Sequence, residues 1–174
     1  MNGVIVYKSK YGATRKYAEW LVEETGFDIV ESSNAKINEI QKYDVIILGG
    51  GIYATGIAGI SFLRKNIKAL QDKKLIVFCD GASPLDDDAF EEIKKHNMKE
   101  DLKNIPCFYC RGGWDLEAMS FIDRNMCKLL RKSVSKKDPN ELEIWEKALV
   151  AAGDEKCDWT DKKYLKPILE AINK

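Results

Sequence analysis

Val4-Ile5-Val6-Tyr7-Lys8-Ser9-Lys10-Tyr11-Gly12-Ala13-Thr14 passes from a short apolar strand, through a small polar loop, into a helical pattern. Such a turn gathers hydroxyls and free backbone N–H groups at a helix N-terminus, where the aligned peptide dipoles leave positive charge. That arrangement suits a phosphate. The loop has neither the Gly-Lys-Ser/Thr ending of a triphosphate-binding loop nor the three glycines of a dinucleotide turn. It therefore points to a single terminal phosphate on a small cofactor. A plainer role stays open, in which Ser9 or Thr14 caps the helix and Gly12 permits the turn.

Apolar runs and helical patterns alternate outward from this stretch. Residues 3–8, 27–31, 44–48, 74–79 and 106–110 are predicted strands, and residues 13–25, 61–70, 90–97 and 162–173 predicted helices. In the first helix Tyr17, Ala18, Leu21 and Val22 share one face. Near-continuous apolar strands separated by amphipathic helices indicate an α/β fold with a parallel sheet covered on both faces. Five such strands suit a doubly wound order, 2-1-3-4-5, whose ligand crevice lies at the carboxyl ends of strands 1 and 3. Three loops of small or polar composition meet there: residues 9–14, 49–56 and 79–84.

The second loop reads Gly49-Gly50-Gly51-Ile52-Tyr53-Ala54-Thr55-Gly56. Its glycines allow close approach to a flat ligand, and Tyr53 is placed to stack on one. Two alternatives remain: a flexible turn, or a dinucleotide fingerprint in Gly49-x-Gly51-x-x-Ala54 followed by the acidic Asp80. The third loop, Cys79-Asp80-Gly81-Ala82-Ser83-Pro84, offers backbone groups and the Asp80 carboxylate to the polar edge of a heterocycle. Asp80 equally suits a plain Asp-Gly turn.

The 174 residues fit one domain, residues 1–174, and carry 28 basic against 28 acidic side chains, a formal net charge of zero. No global field recruits nucleic acid. No secretory signal or membrane span is visible, because the longest uncharged run, 45–63, is broken by five glycines. A cytoplasmic location is expected. The five cysteines are expected to be reduced thiols. Cys107 and Cys110 lie three apart in a predicted strand, so they point to opposite faces rather than forming a redox or metal pair. With His96 the single histidine, no metal site and no Ser-His-Asp triad is expected.

Residues 111–161 form a helical insertion after the fifth strand. A helix is predicted over 115–132, with Met119, Ile122, Met126, Leu129 and Leu130 on one face. A loop follows over 133–140, a second helix over 141–152 and another loop over 153–161. The apolar face suits packing on the core first, with a lid over the crevice, a dimer face or a membrane contact as the functional alternatives. The basic run 128–137 suits weak attraction to anionic lipid or plain solvation.

Taken together, these motifs resemble those of flavodoxin-like proteins. Ser9-Lys10-Tyr11-Gly12-Ala13-Thr14 is similar to their phosphate loop, Ser/Thr-x-x-Gly-x-Thr, and the Tyr53 and Asp80 loops stand where their second and third flavin loops do. The chain further resembles the group that includes the flavodoxin-type protoporphyrinogen oxidase. There an aromatic and basic helical segment follows the fifth strand, as Gly112-Gly113-Trp114 through Lys132 does here, with Asp158-Trp159 later. The resemblance implies FMN as cofactor. Ser9, Lys10, Tyr11, Gly12, Ala13 and Thr14 would hold its phosphate. Gly50, Gly51, Ile52, Tyr53, Asp80, Gly81 and Ala82 would meet its ring, with a Gly50 or Gly51 carbonyl accepting the N5 proton and Trp114 toward the substrate side. It implies an oxidoreductase passing electrons through flavin to a redox partner protein or a quinone or porphyrinogen, with no protein acid–base residue required. The alternatives are an electron carrier without its own substrate and a binding or sensing module without redox turnover. Electron-carrier flavodoxins are strongly acidic and lack a long insertion, and this chain departs from them in both respects.

Overall fold

The computed structural model describes residues 1–174. In chain order its elements are β1 (Gly3–Lys8), α1 (Ala13–Thr25), β2 (Asp28–Glu31), α2 (Ile37–Ile40), β3 (Val45–Tyr53), β4 (Gly56–Ile57), α3 (Ile60–Asn66) and β5 (Lys74–Gly81). There follow α4 (Asp87–Asn97), β6 (Cys107–Arg111), β7 (Gly113–Trp114), α5 (Phe121–Val134), α6 (Ile144–Ala152), β8 (Cys157–Asp158) and α7 (Lys166–Asn173). The main sheet runs β2-β1-β3-β5-β6, all parallel, with the short β4 antiparallel on the end of β3. With β4 set aside, this is the 2-1-3-4-5 order that the sequence predicts.

Alternation along the strands sorts the core into two layers. Val4, Val6, Ile46, Leu48 and Val77 face α3 and its Ile60 and Leu63. Ile5, Ile47, Ile76 and Phe78 face Tyr17, Ala18 and Leu21 of α1 and Ile168 and Ile172 of α7. Cys107 packs on the first layer and Cys110 lies in the second, opposite faces as their spacing requires.

Several boundaries shift, each for a local reason. The glycine run is strand rather than loop, because its neighbours leave no room for a side chain. A Cβ on Gly49 would sit 2.2 Å from the Phe78 ring, and one on Gly50 2.0 Å from the Ala58 carbonyl oxygen. β3 therefore continues to Tyr53 and turns back as a hairpin, pairing Ile52 with Ile57 and Tyr53 with Gly56. Because the run leads into a hairpin and not into a helix, it lacks the context of a dinucleotide fingerprint. α4 begins earlier than predicted because the Asp86 carboxylate accepts the Asp88 and Ala89 amides, each at 3.1 Å. α5 begins later, at Phe121, where Ser120 Oγ accepts the Asp123 amide at 3.2 Å. The residues before α6 and α7 are 3-10 turns, at Pro139–Glu141 and Lys162–Leu165.

The segment between β6 and α7 leaves the sheet and returns to the place where it left. β7 and β8 pair antiparallel, Gly113 with Asp158 and Trp114 with Cys157. Beneath them one phenol serves both ends: Tyr17 Oη donates to the Arg111 carbonyl at 2.6 Å and accepts the Asp161 amide at 3.1 Å. Burial pushes that phenol's pKa well above its ordinary value, so it stays protonated as a donor.

Candidate functional site

The carboxyl ends of β1, β3 and β5 open into a cavity of about 340 Å³, within the range of small-molecule and cofactor sites. Its floor is the first turn of α1. Gly12, the residue before that helix, has φ 99°, a conformation that favours glycine. Ser9 Oγ accepts the Gly12 amide at 3.0 Å and so shapes the loop. No side chain caps the helix start and no acidic residue lies in its first turn. The first amides of α1 therefore present unpaired positive charge at the cavity floor.

Beside this floor, and also lining the cavity, is Asp80, near the end of β5 and only 7% exposed. Thr14 Oγ1 donates to its carboxylate at 2.5 Å. Burial raises the Asp80 pKa to about 6, and the Thr14 hydrogen bond opposes that shift. The single Thr14 hydroxyl proton thus goes to Asp80 in this structure.

The hairpin of β3 and β4 forms one wall. Tyr53 folds over Gly51, whose Cβ position is 2.8 Å from the Tyr53 hydroxyl. The ring also meets Tyr11 edge-on at 6.2 Å, and the Lys10 ammonium lies 5.7 Å from its centroid. Burial pushes the Tyr53 pKa up to about 12. The hairpin tip holds Ala54 and Thr55 at positive φ, 46° and 75°, which for a β-branched residue is strained. Asn97 offsets that strain. It is 1% exposed, donates to the Thr55 carbonyl at 2.7 Å and accepts the Ile57 amide at 2.9 Å. The Gly51 carbonyl accepts the Ala58 amide at 2.9 Å, which fastens the base of the hairpin.

The segment 111–161 supplies the opposite wall. Trp114 is buried against Leu116 and Ala152, and its indole N–H donates to the Gly153 carbonyl at 3.2 Å. Lys16 reaches from α1 to Asp158 at 2.8 Å, which with Thr160 holds the Asp158 carboxyl down to about 2. Lys156 pairs with Asp115 at 3.0 Å. At the rim, Lys10 and Tyr11 both bond the Asp123 carboxylate on α5.

The structure thus brings the predicted site residues of all three loops, with Trp114, to one cavity. Ser9, Tyr11, Gly12, Ala13, Thr14, Gly51, Ile52, Tyr53, Asp80, Gly81, Ala82 and Trp114 line it. Lys10 lies outside the lining, paired with Asp123, and Gly50 lies behind it, against Ala58. Sequence reasoning did not place Lys16, Gly113, Asp115, Met119, Lys156, Cys157, Asp158 and Thr160 in the site, and these complete the lining. It also missed Asn97, which holds the hairpin. No group of three or more His, Cys, Asp or Glu side chains is placed to hold a metal ion, and no helix is long and apolar enough to cross a membrane.

A family model described as the flavodoxin domain matches residues 4–141. The chain belongs to the flavodoxin domain family. Among solved structures it is similar to a flavodoxin from the domain Archaea, at 16% identity over 74% of this chain and 92% of that one, with a TM-score of 0.40. It is also similar to a WrbA-like flavodoxin from Agrobacterium tumefaciens, at 20% identity over 71% and 87% of the two chains, with a TM-score of 0.46. A third is a flavoprotein in complex with FMN from Lactobacillus acidophilus, at 14% identity over 63% and 91%, with a TM-score of 0.43. Comparison with curated proteins gives no match.

Proposed function

We propose that this protein is an FMN-binding oxidoreductase that passes electrons through the bound flavin. The observation that carries this reading is the uncapped N-terminus of α1 at the floor of a cavity walled by Tyr53 and Trp114. A phosphate at that floor would be held by the amides that open α1, with Ser9 and Gly12 shaping the loop. Thr14 reinforces it wherever Asp80 releases the hydroxyl, which protonation of Asp80 favours. Tyr53, its ring steadied by Tyr11 and Lys10, suits a planar ring beside Gly51, Ile52, Gly81 and Ala82. When bound, FMN supplies one- and two-electron redox chemistry, and the chain's part is to hold and orient it and to exclude water. Membership of the flavodoxin domain family supports the same cofactor.

The formal net charge of zero supplies no strong acidic field for steering toward a basic reductase. A small planar redox partner, of quinone or porphyrinogen type, therefore fits better than a shuttle role. Residues 1–174 form one flavodoxin-like domain on this reading, with 111–161 as its helical insertion. The five unpaired cysteines suit a reducing, cytoplasmic setting.

Fluorescence titration with FMN and with riboflavin tests the cofactor reading. FMN is expected to bind at least about tenfold more tightly, because the phosphate gains charge-assisted hydrogen bonds of about 1.5–3 kcal/mol. Equal affinities would remove the phosphate site, and failure of both ligands to bind would remove the premise. Turnover separates enzyme from carrier: oxidation of a porphyrinogen or reduction of a quinone in excess over protein is expected only from the flavin-loaded chain.

A further inference from the structure

The apolar face of α5 points away from the molecule. Phe121, Ile122, Met126, Leu129 and Leu130 are between 45% and 79% exposed. The helix packs through its other side, with Cys127 against the Trp114 cluster and Val134 buried. Five large apolar side chains contiguous on one exposed helix face mark an interaction surface rather than scattered exposure.

The charges beside that face are distributed unevenly. Residues 121–137 hold six basic side chains and one acidic one, Asp123, in a chain whose formal net charge is zero. Arg131 pairs with Asp154 and Lys137 with Glu146, while Arg124 donates to the carbonyls of Glu117 and Met119. Lys128, Lys132 and Lys136 remain, exposed and outside every ion pair. Lys128 and Lys132, spaced by four on α5, lie in one row along the edge of the apolar face, and Lys136 follows in the turn just past the helix end. Two copies packed antiparallel through this face would bring their lysine rows side by side, at a like-charge cost. An anionic surface meets the row favourably.

We propose that α5 docks this protein peripherally on an anionic phospholipid membrane. The apolar face enters the boundary between headgroups and acyl chains, and Lys128, Lys132 and Lys136 lie among the lipid phosphates. The helix start is fastened to the cavity rim through Asp123, Lys10 and Tyr11, and Met119, two residues before Phe121, lines the cavity. Docking therefore sets the cavity beside the lipid surface, within reach of an apolar reactant dissolved there.

Flotation of the full chain with vesicles tests this without reference to flavin, so its failure is separate from failure of the cofactor reading. Vesicles of phosphatidylcholine and phosphatidylglycerol in equal parts are expected to carry the protein at low salt. Vesicles of phosphatidylcholine alone are expected to carry little. Replacing Lys128, Lys132 and Lys136 together by alanine is expected to weaken binding about a hundredfold. Leu129→Asp with Ile122→Asp is expected to abolish it. Should the aspartate variant misfold, the lysine variant, which alters only exposed side chains, decides alone. No binding to anionic vesicles, equal binding to neutral ones, or binding untouched by the lysine replacements would overturn the proposal. So would a concentration-dependent dimer that Leu129→Asp dissolves in a protein that ignores vesicles, since the face would then join two copies.

Discussion

α1 and α5 are two amphipathic helices of 13 and 14 residues, and both begin at the cavity. α1 buries Tyr17, Ala18 and Leu21 completely, whereas α5 leaves five large apolar side chains in the open. Their starts differ as well. α1 is uncapped over Asp80, while α5 is capped by Ser120 and its Asp123 is engaged by Lys10 and Tyr11. An apolar period announces that a helix has a face, and only the chain's path decides whether anything covers it. α1 is the crossover between two paired parallel strands and must lie on their sheet. α5 belongs to a segment that leaves the sheet after β6 and rejoins it before α7, held in between by side-chain contacts such as that of Asp123 with Lys10 and Tyr11.

The largest test of this contrast is to cut the same side chain from both helices. Leu21→Ala is expected to cost about 2–5 kcal/mol in urea unfolding, since a fully buried leucine leaves a cavity. Leu129→Ala is expected to stay within about 0.5 kcal/mol. Comparable losses would mean that α5 is covered in solution.

A second test concerns the helix starts. The native fold holds the Asp80 carboxyl at about 6, above the ordinary 3.8, so the folded state binds that proton more tightly than the unfolded state does. The associated stability is present in full below pH 4 and is lost as pH rises through 6. The difference amounts to about 3 kcal/mol. Asp80→Asn keeps an acceptor for Thr14 and removes the charge. It is expected to flatten the fall in urea stability between pH 4 and pH 8 and to tighten FMN relative to riboflavin. An unchanged pH slope would place the titration elsewhere.

The smallest effect is expected at the other start. Ser120→Ala removes the cap of α5 and is expected to cost about 1 kcal/mol, measured by amide exchange in α5. No change in exchange would assign the start of α5 to the Asp123 cluster alone.

The sheet was legible because buried parallel strands are nearly continuous apolar runs, and α1 because Tyr17, Ala18 and Leu21 repeat with the helical period. The first loop was legible because a strand, a polar turn and a helix fall in close succession. The glycine run was misread because glycine signals a break in sequence, whereas here Phe78 and Ala58 demand its missing side chain. β7 and β8 are two residues each, too short to carry any period. Asn97 stood among polar neighbours at a helix end, and nothing local reveals that it reaches Thr55 and Ile57, 40 or more residues away. Contacts of that kind are written in the fold, not in the period.

Tyr17 gives the architecture a kind of modularity. Because its one hydroxyl donates to Arg111 and accepts from Asp161, both ends of the path are held beside the same helix, and the path between them adds no strand to the main sheet. The cavity floor and the outer wall are thus separate pieces of chain that meet on one helix: Tyr17 ties the two ends of the outer path, and Lys16 beside it pairs with Asp158.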